Sequence, residues 1–195
     1  MHPRSSPNKK IYKRLTIITM SVLVAIFVGA GILWTIAPDT LLSSAPSSSS
    51  SLIIDNIRCE TVEHTTFHIH AHLDIFINGK PYTVPSQIGI IPDKCIYWLH
   101  THDDNGIIHI ESPENRNFTL GQFFNIWNKK FNNTQIFDNV VDGNKNNALS
   151  VYVNGGKVNA VDYRDIKLNS HDEIAIVYGK HPDTIPANYP FPKGL

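Results

Sequence analysis

The segment Phe67–Ile77 constrains the chain most, because its side chains alternate without a break. Phe67, Ile69, Ala71, Leu73, Ile75 and Ile77 share one parity; His68, His70, His72, Asp74 and Phe76 share the other. A period of two is the period of a β-strand, so the segment predicts a half-buried strand with an apolar face and a histidine face. A one-residue slip in its pairing would send every side chain to the wrong face, so the register is tightly specified. Asn78-Gly79 follows, a strong two-residue hairpin signal, with residues 81–84 as the expected return strand.

The rest of the chain supplies further elements. Residues 95–111 read as a second hairpin: 96–102 are rich in aromatic and branched residues, 103–106 carry turn chemistry, and 107–111 return. Thr119-Leu120-Gly121-Gln122 is a capping-box pattern ahead of Phe123, Phe124, Ile126 and Trp127, and predicts one short helix. Leu149–Val153 reads as a strand turned by Asn154-Gly155-Gly156, and Glu173–Tyr178 as the last strand. Pro182, Pro186, Pro190 and Pro192 make the tail beyond His181 extended, either packed across the surface or loose. The expected fold class is α+β: a β-rich domain with an inserted β-hairpin and one short helix.

Upstream of this domain lies an uncharged apolar run of 23 residues, 15–37. As a helix rising ~1.5 Å per residue it spans about 35 Å, enough to cross a hydrocarbon core of ~30 Å. Arg4, Lys9, Lys10, Lys13 and Arg14 precede it and no acidic residue appears before Asp39, which places the N-terminus in the cytoplasm. The apolar core of a cleaved signal peptide runs only ~7–15 residues, so an uncleaved anchor is expected. The domain organisation is therefore a basic cytoplasmic tail (1–14), a transmembrane helix (15–37), a Ser/Pro-rich linker (38–51) and one extracytoplasmic domain (52–195). The formal charge of zero conceals an asymmetry. With five basic residues in the tail, the remaining 12 face all 17 acidic ones, a net of −5. A mildly acidic domain excludes a nucleic-acid partner, which needs a basic patch.

Both cysteines, Cys59 and Cys95, fall on the outer side, where an oxidising compartment favours a disulfide between them.

Of the ten histidines, six lie between His68 and His109. Along a strand, His68, His70 and His72 stand about 7 Å apart in succession and about 13 Å end to end. Two neighbours can converge on one ion with metal–nitrogen bonds of ~2.0–2.1 Å; three cannot without distorting the strand. Further ligands have to come from elsewhere, and the second hairpin offers His100, His102, His109 and Glu111. Closing it on Asn105-Gly106 sets His102 opposite His109 and His100 opposite Glu111. A four-residue loop, 103–106, pairs His100 with His109 instead. Either even-length loop leaves the three imidazoles on one face. Three imidazoles and a carboxylate suit zinc, copper or nickel, with positions left for water. Asp74 and Asp103 are weaker candidates as ligands or their hydrogen-bond partners. His2, His64, His171 and His181 read as surface or hydrogen-bonded groups. A blue-copper centre is excluded: Cys95 has the opposite parity from His100, and Met1 and Met20 are the only methionines. No G-x-S-x-G, H-E-x-x-H or Walker motif is present.

The segments DIFINGKPYTVP, FTLGQFF, LSVYVNGGKV and IKLNSHDEIAIVYG resemble the β-grasp arrangement of ubiquitin-like sulfur carriers and related extracellular modules. Those proteins show a hairpin, a helix opening on Thr-Leu, a strand ending in Asn-Gly and a final strand after an acidic turn. The resemblance implies a β-grasp-like domain over most of 73–179. It implies no activity, since the carriers act through a Gly-Gly C-terminus and this chain ends Lys193-Gly194-Leu195. The whole sequence also resembles a family of prokaryotic (archaeal-type), membrane-anchored, histidine-rich extracytoplasmic proteins, which brings no activity with it. The expected function is a membrane-tethered copper- or zinc-binding domain outside the cytoplasm. It would capture or deliver the metal, or serve as accessory to a membrane metalloenzyme, with a membrane protein as its partner. Two alternatives stand beside it: a zinc-dependent hydratase or hydrolase on His100, His102 and His109, and a metal-free interaction or assembly subunit.

Overall fold

A computed structural model describes residues 52–195. The expected cytoplasmic tail, transmembrane helix and linker lie outside the described residues. Among the described residues no helix is long and apolar enough to cross a membrane.

The described chain is mostly β-sheet with one short helix. Strands β1 (Ile53–Ile54) and β2 (Ile57–Glu60) precede β3 (Phe67–Ile77), which turns into β4 (Lys80–Tyr82). Then come β5 (Ile90–Ile91), β6 (Cys95–Tyr97), β7 (Leu99–His100) and β8 (Ile107–Ser112). Helix α1 (Leu120–Ile126) leads to β9 (Phe131–Asn132), β10 (Gln135–Ile136) and β11 (Asn139–Val140). The last strands are β12 (Leu149–Val153), β13 (Gly156–Lys157) and β14 (Glu173–Tyr178). The main sheet runs β13-β12-β14-β3-β8-β7, with β4 on the C-terminal half of the β3 edge that β8 occupies at the N-terminal half. Strands β3 and β14 are parallel; the other pairings of this sheet are antiparallel. A smaller sheet runs β1-β2-β6-β5.

Local sequence accounts for these elements. Asn78 and Gly79 take φ of 53° and 79°, and Asn154 and Gly155 take 51° and 77°. Consecutive positive φ values are what tight hairpin turns require, and Asn-Gly supplies them at least cost. The expected capping box forms: Gln122 N–H donates to Thr119 Oγ1 at 3.3 Å and Thr119 N–H to Gln122 Oε1 at 3.0 Å. Ala71, Leu73 and Ile75 of β3, Ile108 and Ile110 of β8, and Leu99 of β7 are at most 1% exposed. They join Phe118, Leu120, Phe123 and Phe124 in one core.

Two expectations are corrected. The return strand is Lys80–Tyr82 rather than 81–84, because Val84 turns into the core ahead of Pro85. The second hairpin is not straight either. Cys95–Tyr97 pairs with β2 and β5 in the small sheet, while Leu99–His100 pairs with β8 in the large one. The chain changes sheets at Trp98, whose N–H donates to Arg58 O at 3.3 Å. A disulfide between Cys59 and Cys95 ties the first half to β2, as the sequence suggested. The tail packs across the surface: Tyr189 stacks on His72 and Phe191 lies against His171.

The disulfide closes a separation of 36 residues, worth about 4 kcal/mol by loop-closure entropy. Reduction is expected to lower the unfolding free energy by about 2–4 kcal/mol in urea titrations with and without reductant. An unchanged midpoint would show that β2–β6 pairing alone holds the bend.

Candidate metal centre

With Ile108 and Ile110 pointing into the core, His109 and Glu111 of β8 occupy the opposite face of the sheet. The same parity puts His68 and His70 of β3, and His100 of β7, on that face. Register aligns them: His70 sits opposite His109 and His68 opposite Glu111 across β3–β8, and His100 sits opposite His109 across β7–β8. This is the pairing that the 103–106 loop predicted, rather than His102 against His109. His102, just past β7, turns back to the same patch.

The donor atoms converge. His68 Nε2 and His70 Nε2 are 3.0 Å apart, and His100 Nε2 and His102 Nε2 are 3.2 Å apart. Glu111 Oε1 lies 3.2 Å from His68 Nε2, 3.3 Å from His109 Nδ1 and 3.9 Å from His100 Nε2. Donors bonded at ~2.0–2.1 Å to one ion stand about 2.9 Å apart at right angles and about 3.3 Å apart in a tetrahedron. The observed nitrogen separations fall in that range, which is also the range of a hydrogen bond between imidazoles. Two histidine–glutamate groups here could hold a metal ion: His68, His70, His109 and Glu111; and His100, His102, His109 and Glu111.

Tautomer and charge favour ligation. His100 is fully buried, and its Nδ1–H donates to the carbonyl of Tyr97 at 2.9 Å, because a carbonyl can only accept. That leaves the Nε2 lone pair aimed at His102 and Glu111, the arrangement that fixes ligating histidines. Burial holds the His100 pKa down to about 4, with the charge of Glu111 opposing. Burial and then the charges of His109 and His68 hold His70 at about 4. Both imidazoles are therefore neutral near pH 7, the form that binds metals. Burial pushes the Glu111 carboxyl up, but its hydrogen bond to His109 and the charges of His100 and His68 outweigh this, and the net shift is downward.

His72 stands apart. Ile107 is its partner across β3–β8, and it turns instead to β14. Its Nδ1 lies 2.7 Å from Glu173 Oε2 and its Nε2–H donates to Asn105 O at 2.8 Å. With Asp74 and Glu173 it forms a third group of candidate ligands. Glu173 is 1% exposed, and burial raises its pKa against the opposing pull of His72. Of the remaining histidines, His64 pairs with Glu60, which also accepts from Trp98 Nε1 at 2.7 Å. His171 Nε2 donates to Leu195 O at 3.0 Å, and His181 meets the edge of Tyr152.

Sequence reasoning missed two carboxylates. Glu63 Oε1 reaches His102 Nε2 at 3.3 Å from the loop before β3. Glu173 meets His72 across a sequence separation of 101, and only parallel pairing of β14 with β3 reveals it. Neither stands at strand spacing from the histidine it meets, so no local signal marks the contact.

Compared with protein-family models, curated proteins and solved structures, the chain matches none.

Because His70 and His100 fall from an ordinary pKa near 6.5 to about 4 on folding, the unfolded chain binds more protons between those values. The stability they contribute is complete above pH ~6.5 and is lost as pH falls toward 4. Metal-free protein is expected to lose at least ~5 °C of melting temperature between pH 7 and 4.5. The slope should be shallower in a His70→Gln/His100→Gln variant, and equal slopes would contradict the neutral buried assignment.

Proposed function

We propose that this domain binds a transition metal, copper or zinc, on the face shared by β3, β8 and β7, and holds it outside the cytoplasm for capture or delivery. The observation that carries the reading is the convergence of five imidazoles and a buried carboxylate from three strands, with ligand-edge spacings of 3.0 and 3.2 Å. Serine, threonine or lysine would serve a merely solvated strand face. His70 and His100 are buried in their neutral form, so they are ready to ligate without first losing a proton. Imidazole ligands admit copper and zinc alike.

Further features support the setting. The disulfide fits an oxidising compartment, and the charge pattern of residues 1–37 fits a membrane anchor whose outer side carries this domain. Delivery to a neighbouring membrane metalloenzyme follows from that tether. A β-grasp-like arrangement is the finer reading of the fold: the hairpin β3–β4, then α1, then β12–β13, with first and last strands as parallel neighbours at mid-sheet.

The full chain, purified without chelator or affinity tag, is expected to retain copper or zinc by plasma mass spectrometry. His109→Ala/Glu111→Gln should bind it at least tenfold more weakly. Metal absent from the wild type even after reconstitution with both ions would overturn the reading and leave an assembly surface.

A further inference from the structure

The metal reading treats the histidine face as one patch, yet its donors fall into two pairs. His68 and His70 belong to β3. His100 and His102 belong to β7 and the turn beyond it. Strand β8 separates them, so their backbones are two strand spacings apart, about 9.6 Å. Within each pair the Nε2 atoms are already at chelating distance, 3.0 and 3.2 Å. Together with His109 and Glu111 the patch offers six protein donors, more than the four that a tetrahedral ion takes.

Glu111 stands between the pairs. It is 4% exposed, and its Oε1 lies 3.2 Å from the nearer nitrogen of the first pair and 3.9 Å from that of the second. A carboxylate so placed can bind two ions at once, and ions bridged in this way sit ~3.5–4 Å apart. His109 also lies between the pairs, its ring centroid 4.6 Å from that of His70 on one side and 4.6 Å from that of His102 on the other. Two cations this close repel, and the patch contains anionic charge to moderate that. Glu111 serves both positions, and Glu63 lies 3.3 Å from His102 Nε2 at the second.

Resting on the metal reading above, we infer that this face is a two-ion centre, with one ion on His68 and His70, the other on His100 and His102, and Glu111 as the shared ligand. Occupancy of one position pre-orders Glu111 for the other, so the second ion binds in a site already partly built.

The test loads the full chain with zinc, removes unbound metal by desalting and counts bound equivalents, in parallel with His68→Ala/His70→Ala and His100→Ala/His102→Ala. Two equivalents in the wild type and one in each variant is the expected result. One equivalent in the wild type overturns the two-ion inference while leaving metal binding intact; none overturns the metal reading itself. A readout without substitutions comes from copper(II) loading followed by electron paramagnetic resonance. Two ions bridged by Glu111 should couple, giving a spin count below the copper content. A signal that integrates to the full copper content, with no sign of coupling, overturns the shared-ligand arrangement.

Discussion

Strand β8 is hydrogen-bonded along both edges, to β3 on one side and β7 on the other, and the histidine face depends on that double pairing. Because side chains alternate along every strand, the residues that β8 sends into the core, Ile108 and Ile110, dictate that His109 and Glu111 face the other way. The same rule acts on Ala71 and Leu73 in β3 and on Leu99 in β7. Five core side chains thereby set five polar ones, and a slip of one residue in either ladder would turn the polar side chains into the hydrophobic core and the core residues away from it. The hydrophobic core and the candidate metal centre are two faces of one constraint.

His72 shows how the surroundings of the centre are held. Asn105 O accepts from its Nε2–H, and Leu73 N–H donates to Gly106 O at 2.9 Å, so the loop that carries His102 back toward β8 is pinned to β3. Gly106 comes so near that a Cβ there would stand 2.8 Å from His72 Nε2, and its φ of +83° is one that other residues resist. On the far side Glu173 holds Nδ1, and Tyr189 from the C-terminal tail lies flat over the ring at 3.7 Å. With an oxygen against each of its two nitrogens, the ring is fixed in place. His72 also forms, with Asp74 and Glu173, a group that could hold a metal ion of its own, apart from the β3–β8–β7 face.

How much of this could be read from the chain alone follows the range of each interaction. Strand β3, the Asn-Gly turns, the Thr119–Gln122 cap and β14 are local and appear where periodicity and capping chemistry put them. The pairing of Cys59 with Cys95 needed only a count and a compartment. Parity placed His100, His102 and His109 on one face, and left open whether His68 and His70 joined them. What stayed hidden was long-range. The docking of β8 on β3, the change of sheet at Trp98 and the approach of Glu173 to His72 are set by which strands the core brings together. No window of sequence contains that information.

Metal binding on the β3–β8–β7 face is open to direct test by anomalous diffraction at the copper and zinc edges, from crystals of the loaded protein. Strong peaks are expected about 2 Å from the Nε2 atoms of His68, His70, His100 and His102. Peaks confined to outlying histidines such as His171 or His181, or none on this face, would contradict it.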